Sequence, residues 1–198
     1  EIILLVVNDS PLKTDDRRYG LYDLFVKFDH QRFGQHPDAF ERFDLKTIFP
    51  DCPTISVAPQ SKGKFDIFTQ ADIDKIATYE LDVAIRFGFQ KLQGKVLETA
   101  RYGIWSYRPG VSQVNRADPP GFWEMIKREG FMRTIIEMQS PEEPDGRIIY
   151  QSYAGITNYS IARTLNRPLL RSASFTIRKL TQLYEQGPSA LKPVFEDG

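Results

Sequence analysis

The sequence predicts an α/β domain built on a largely parallel sheet flanked by helices, and three observations carry that prediction. The chain opens on IILLVV, a run of β-branched residues and leucine ended by Asn8-Asp9-Ser10-Pro11, the pattern of a strand buried on both faces before a loop. From Thr69 onward, short apolar runs alternate with stretches of helical period, the order expected of a parallel sheet whose ligand site lies at the carboxyl ends of its strands. The chain has 198 residues, 41% of them hydrophobic, enough for one full core. A single domain over 1–198 is expected, with the helical segment 160–186 packing on it.

Taken in order, Ile2 to Val7 is the first strand, and KTDDRRYG follows as a charged connection. YDLFVKFDHQRF sets Leu24, Phe25 and Phe28 at helical spacing. From Gln35 to Lys64 four prolines interrupt the pattern, leaving extended pieces at Lys46 to Phe49 and Thr54 to Val57. Thr69 and Asp72 form a T-x-x-D capping pattern ahead of Ile73, Ile76 and Ala77, so a helix starts there. LDVAIRFGF, residues 81–89, reads as a central strand in which Gly88 permits close backbone approach. GKVLETARYG reads as a short helix and YGIWSY as a strand. PPGFWEMIKREG is a short helix opened by prolines, whose missing N–H groups would be unpaired in a first turn anyway. MRTIIEMQ and GRIIYQSY are strands on either side of the turn SPEEPD. Ser160 to Gln186 is helical by period through Ile161, Leu165, Ala173, Ile177, Leu180 and Tyr184, with Pro168 marking a break or a second start.

Charge narrows the range of functions. Twenty-six basic residues balance 26 acidic ones, so nothing in the bulk electrostatics recommends nucleic acid or an anionic membrane as partner. Cys52 is the only cysteine, which excludes an internal disulfide and a thiolate metal cluster within one chain and fits a cytoplasmic location. The opening apolar run is far shorter than the roughly 20 residues that span a bilayer. No G-x-x-x-x-G-K-[ST] or G-x-S-x-G pattern occurs, and NDSP rather than a glycine fingerprint follows the first strand. His30 and His36, the only histidines, lack metal-ligand spacing and read as surface residues.

One region concentrates Gly, Pro and aromatics: WSYRPG, then NRADPPGFWE, then PEEPDGRIIYQ. Read as packing alone, Trp105, Tyr107, Phe122 and Trp123 are core aromatics, and Asp145-Gly146 is a tight turn. In this order, together with LDVAIRFGFQKLQGKVLETARYGIWSY, the motifs resemble the formyltransferase family, which includes methionyl-tRNA and glycinamide ribonucleotide formyltransferases. They are closer still to a branch with the pattern W-S-F-H-H-G-D followed by N-R-G-G-P-P-G-F-W-E. The resemblance covers roughly residues 70 to 155, and P-P-G-F-W-E is its most specific part.

The resemblance implies a Rossmann-like sheet that binds 10-formyltetrahydrofolate as cofactor and catalyses with an Asn-x-His pair and an aspartate in a later turn. The aspartate matches as Asp145. Ser106 stands where the family has Asn, Arg108 where it has His, Pro109 replaces the second histidine of the closer branch, and Gly110 is kept. An amine attacking a formyl carbon needs donors for the oxyanion and a carboxylate to organise proton removal. Asp145 is thus expected to orient or deprotonate the acceptor amine, and Ser106 and Arg108 to stabilise charge on the formyl oxygen. Arginine does not titrate, so Arg108 cannot shuttle a proton as histidine does.

By the same resemblance Phe89, Lys91, Leu92, Gln93 and Asp145 line the cofactor pocket. The partner is a small-molecule amine, such as an amino sugar or a sugar nucleotide. The alternative is a non-catalytic relative that binds an anionic small molecule or a protein partner, with Arg108 as a carboxylate or phosphate clamp. What separates the two is whether Arg108 faces Asp145 or is neutralised by Glu142, Glu143 or Asp118.

Overall fold

The computed structural model describes residues 1–10, 20–41, 43–109 and 121–194. The charged stretch 13–19, Gly110, Asp118 and the Pro119-Pro120 helix start lie outside the described residues. The chain divides into two compact units, Glu1–Thr14 with Arg42–Ser106 and Met138–Arg147, and Asp15–Glu41 with Tyr107–Glu137 and Ile148–Gly198.

In the first unit β1 (Leu5–Asn8) pairs in parallel with β2 (Thr54–Val57). All four residues of β1 are half-buried, and Ile2 and Ile3 are exposed. The opening run is therefore a half-covered strand rather than one buried on both faces, because β2 is its only pairing neighbour among the described residues. Between them lies α2 (Leu45–Ile48), where an extended piece was expected. The Asp44 side chain accepts from the Lys46 N–H at 3.0 Å and caps a single turn, which ends ahead of Pro50.

Strands β3 (Gln60–Lys62) and β4 (Phe65–Ile67) form a hairpin about Gly63, whose φ of 64 meets the turn's need for a left-handed residue. Helix α3 (Gln70–Ala77) starts where the capping pattern placed it: the Thr69 side chain accepts from the Asp72 N–H. The strand read over 81–89 shortens to β5 (Ala84–Arg86). β6 (Lys91–Gln93), not anticipated, lies parallel to β4, and the expected helix after it is a 3-10 turn over Lys95–Thr99. β7 (Ile104–Pro109) runs parallel to β5. Val57, Phe68, Ile76, Leu92, Val96, Leu97 and Ile104 form this unit's core.

The second unit holds α1 (Gly20–Phe33), α4 (Phe122–Lys127) and α5 (Ile161–Gln186), with most of β8 (Phe131–Gln139) and β9 (Arg147–Gly155). Within it the end of β7, β8 and β9 are successive neighbours in one sheet. Parallel pairing and the α/β class hold, with the strands shared among three sheets. Helix α1 forms as its period indicated but turns Leu24 and Phe28 to solvent, packing Tyr22 and Val26 against Met132, Ile161 and Leu165 instead. Asp29, almost wholly buried, accepts from the Ser160 hydroxyl (3.1 Å) and the Ala162 N–H (2.7 Å), so α1 supplies a cap for α5. Helix α5 runs unbroken through Pro168. An interior proline costs about 3 kcal/mol, and burial of Ile161, Leu165, Phe175 and Leu183 along the same helix outweighs it.

Candidate functional site

Within the first unit, strand β6 and the turn 140–146 converge. Lys91 Nζ donates to the Asp145 carbonyl oxygen at 2.6 Å and lies 3.6 Å from Asp145 Oδ1. The Lys91 side chain is 25% exposed and that of Asp145 is 99% exposed, so the carboxylate stands in solvent beside a partly sheltered ammonium. This juxtaposition of two expected site residues, 54 positions apart, is produced by the parallel β4–β6 pairing and the return of the chain after β8.

Gln139 fastens the same two segments from beneath. Its side chain is fully buried, and Nε2 donates to the Leu92 carbonyl (3.1 Å) and the Pro144 carbonyl (2.8 Å). Asp66 secures the entry to β6 by accepting from the Gln90 N–H at 2.8 Å and from the Ser61 hydroxyl at 2.9 Å. Sequence reasoning missed Gln139 and Asp66, since a lone Gln or Asp in an apolar run carries no motif; their burial within strands is the only signal. In the turn itself, hydrogen bonding from its own backbone N–H and from the Ser140 hydroxyl holds the Glu142 carboxyl below its ordinary value.

The remaining expected cofactor residues divide. Leu92 is a core residue, and Phe89 packs on that core with its ring 5.4 Å from Phe68. Gln93 is exposed at the end of β6. Gly103, at φ 78, lets the start of β7 pass close to Gln139; a Cβ there would lie 2.6 Å from the Gln139 carbonyl oxygen. Ser106 follows on β7, 3% exposed, and its hydroxyl has no hydrogen-bond partner among the described residues. A buried, unsatisfied hydroxyl is a ready donor or acceptor for a ligand atom.

Arg108 belongs to the second unit. Its Nη1 donates to Glu137 Oε1 at 3.0 Å, with the arginine side chain 43% exposed and the glutamate 10%. Glu137 was not among the anticipated partners, and Glu143 instead pairs with Arg147 at 3.1 Å. The guanidinium charge is thus balanced, while part of its donor fork still meets solvent. Next to it Tyr107 reaches α5, its hydroxyl donating to the Ser172 carbonyl at 2.8 Å. Trp105, 1% exposed, is a core aromatic, and Phe122 joins the second unit's core.

Glu124, last residue of P-P-G-F-W-E, is 2% exposed, and neither of its carboxylate oxygens has a partner among the described residues; burial pushes its carboxyl above the ordinary value. An open hollow of about 540 Å³ lies elsewhere in the first unit, beside Glu80, Asp82, Glu98 and Arg101, and is lined by none of the expected site residues. Among the described residues no group of three His, Cys, Asp or Glu can hold a metal ion, and no helix is long and apolar enough to cross a membrane.

No protein-family model and no curated protein matches the chain. Its fold is similar to that of glycinamide ribonucleotide transformylase 1 from Symbiobacterium toebii, with a TM-score of 0.51 and 14% identity over 99% of this chain and 92% of that one. Lower scores relate it to a sugar N-formyltransferase from a Shewanella species (0.47, 16% identity, 98% and 74%) and a formyltetrahydrofolate deformylase from Pseudomonas putida (0.48, 14%, 89% and 65%). The first of these likenesses shows the fold, which is formyltransferase-like.

Proposed function

We propose, from the premise of a formyltransferase-like fold, that the chain binds a 10-formyltetrahydrofolate-type ligand along β6 and the 140–146 turn. It passes the formyl group to a small-molecule amine, with an amino sugar or a sugar nucleotide as the acceptor class. The observation that carries this reading is the Lys91–Asp145 contact, which sets an exposed carboxylate at the end of the strand expected to line the cofactor.

The chemistry assigns each side chain a task. The acceptor nitrogen attacks the formyl carbon, a new C–N bond forms, and the bond from that carbon to the folate nitrogen breaks with the electron pair returning to the folate. Asp145 accepts the proton that the amine loses, and Lys91, which donates to its backbone carbonyl, holds the turn that presents it. The unpartnered Ser106 hydroxyl supplies a donor for the developing oxyanion. Arg108, in the second unit and already paired with Glu137, takes no part in this step.

The test is calorimetric titration with a stable 10-formyltetrahydrofolate analogue, for the wild type, Lys91→Met and Asp145→Asn. Saturable micromolar binding that weakens about tenfold or more in Lys91→Met supports the pocket. Absence of binding to the folded wild type removes it. A second reading, a non-catalytic binder of small anions, is favoured by the exposed part of the Arg108 fork. It requires that phosphate or a carboxylate bind the wild type and not Arg108→Met, with no affinity for the folate analogue.

A further inference from the structure

Helix α5 carries its charge unevenly. Arg163, Arg167, Arg171, Arg178 and Lys179 lie along it, and its first acidic residue is Glu185, near the end. Arg163, Arg167 and Arg171 stand four residues apart, the spacing at which like charges on a helix repel one another. Arg163 donates to the Tyr159 hydroxyl at 2.9 Å and lies over the rings of Phe33 and Tyr159. The Arg171 guanidinium has no hydrogen bond or ion pair among the described residues.

Beside Arg171 the second unit holds a small, partly open cavity. Thr134 of β8, Ser152 and Ala154 of β9, and Pro168, Arg171 and Phe175 of α5 are in its lining. Ser152 and Ala154 are two apart on a strand and share a face with Tyr150, whose ring packs on that of Phe175 at 4.7 Å, so the cavity lies between that face and the helix. Its volume of about 10 Å³ admits one water-sized atom. Thr134 is 2% exposed, and its hydroxyl has no partner among the described residues. The hydroxyl of half-buried Ser152 has none there either. Buried hydroxyls are almost always hydrogen-bonded, so an orphaned one beside a cavity marks the place of a further polar group.

We propose that this cavity is a site for one small monovalent anion of chloride size, held by the Thr134 and Ser152 hydroxyls from the sheet and by Arg171 from the helix. Charge selects the sign: no carboxylate is in the lining, and Arg171 opposes a cation. A neutral water would satisfy the hydroxyls but leave the repulsion along the arginine line untouched, whereas an anion answers both. Size and polarity select the class. The volume excludes sulfate and phosphate, and the apolar wall of Ala154, Pro168 and Phe175 penalises a doubly charged ion more than a singly charged one. Because Arg171 is exposed, its attraction is screened, and the dissociation constant falls in the millimolar range. The ion joins β8, β9 and α5, so its effect is on stability.

Thermal unfolding of the full chain in sodium chloride and in sodium gluconate at equal ionic strength reads the site, since gluconate is too large to enter. Chloride at about ten times its dissociation constant should raise the midpoint by about 3–6 °C. The chlorine NMR line should broaden in the presence of the wild type, and bromide added in competition should narrow it again. Arg171→Met, a change at an exposed position, should abolish both the midpoint difference and the broadening. Thr134→Val should do the same, and Arg171→Lys should keep part of each effect. A wild type that neither broadens the chlorine line nor melts higher in chloride would overturn the proposal and leave the cavity to water. A chloride response undiminished in Arg171→Met would overturn it as well, by placing the ion elsewhere.

Discussion

Arg108 and Glu137 are held to one another, Nη1 to Oε1 at 3.0 Å, with the glutamate on β8 almost entirely sheltered and the guanidinium nearly half in solvent. The residue that stands where the resembling family has histidine is therefore a partner in an ion pair before any ligand arrives.

Removing the arginine leaves a sheltered carboxylate without its counter-charge. Arg108→Met should lower the unfolding free energy by about 1–2 kcal/mol, less than for a fully buried pair because the guanidinium is solvent-screened. Glu137→Gln should cost less and should tighten phosphate binding by freeing the guanidinium. Urea denaturation and phosphate titration measure the two effects, and equal losses in both variants would contradict the assignment.

Glu124 makes stability fall with rising pH. Its folded carboxyl holds its proton to a higher pH than the unfolded one, so stability is fully present below the ordinary value of 4.5 and is lost as pH rises through the raised folded value. Glu124→Gln should flatten that slope and stabilise the protein at pH 7 by about 1–2 kcal/mol. Urea midpoints across the acidic to neutral range give the comparison; parallel curves for wild type and variant would refute it.

Lys179 acts with the opposite sign. Burial lowers its ammonium below the ordinary 10.5, so stability is greatest above that value and falls as pH drops through the lowered one. Its Nζ donates to Gln182 Oε1 at 3.3 Å, a long contact for a buried ammonium. Lys179→Met should raise the thermal midpoint at pH 7, by an amount that shrinks in alkaline solution. A fall in the midpoint would show that the lysine contact is worth more than its desolvation costs.

Gln139 couples the two halves of the candidate site in the first unit. Gln139→Leu removes both donors, leaving the Leu92 and Pro144 carbonyls unsatisfied, and should cost about 2–3 kcal/mol. The exposed Lys91–Asp145 contact alone should not hold the turn, so amide exchange over 140–146 should quicken in this variant. Unchanged exchange there would assign the turn's order to other contacts.

Local chemistry made part of this architecture readable. The Thr69–Asp72 cap, the β2 and β7 strands and the β8–β9 pair arise from residues adjacent in the chain, and so does the turn that presents Asp145. Helix α2 was not readable, because one Asp44 side-chain bond tipped a short segment that propensity leaves undecided. Strand β6 has only three residues, and it exists because β4 pairs with it across 26 positions. Lys91 and Asp145, both named by the resemblance, do lie side by side, whereas Gln139, which fastens their two segments, carries no motif.

Capping, turn chemistry and hydrophobic period act over a few residues, so the α/β class, the positions of most elements and the aspartate turn could be read along the chain. Which face each helix buries and which charges meet came from long-range packing. Leu24, Phe28, Ile177 and Tyr184 satisfy an amphipathic pattern yet face outward, while Ser172, Thr176 and Lys179 go in. Arg108 is matched by Glu137 from the next strand of the sheet. Periodicity specifies that a helix has an apolar face, but burial is allotted by the surfaces that pack against it, and those come from segments a hundred or more positions away, as Asp29 at the start of α5 illustrates.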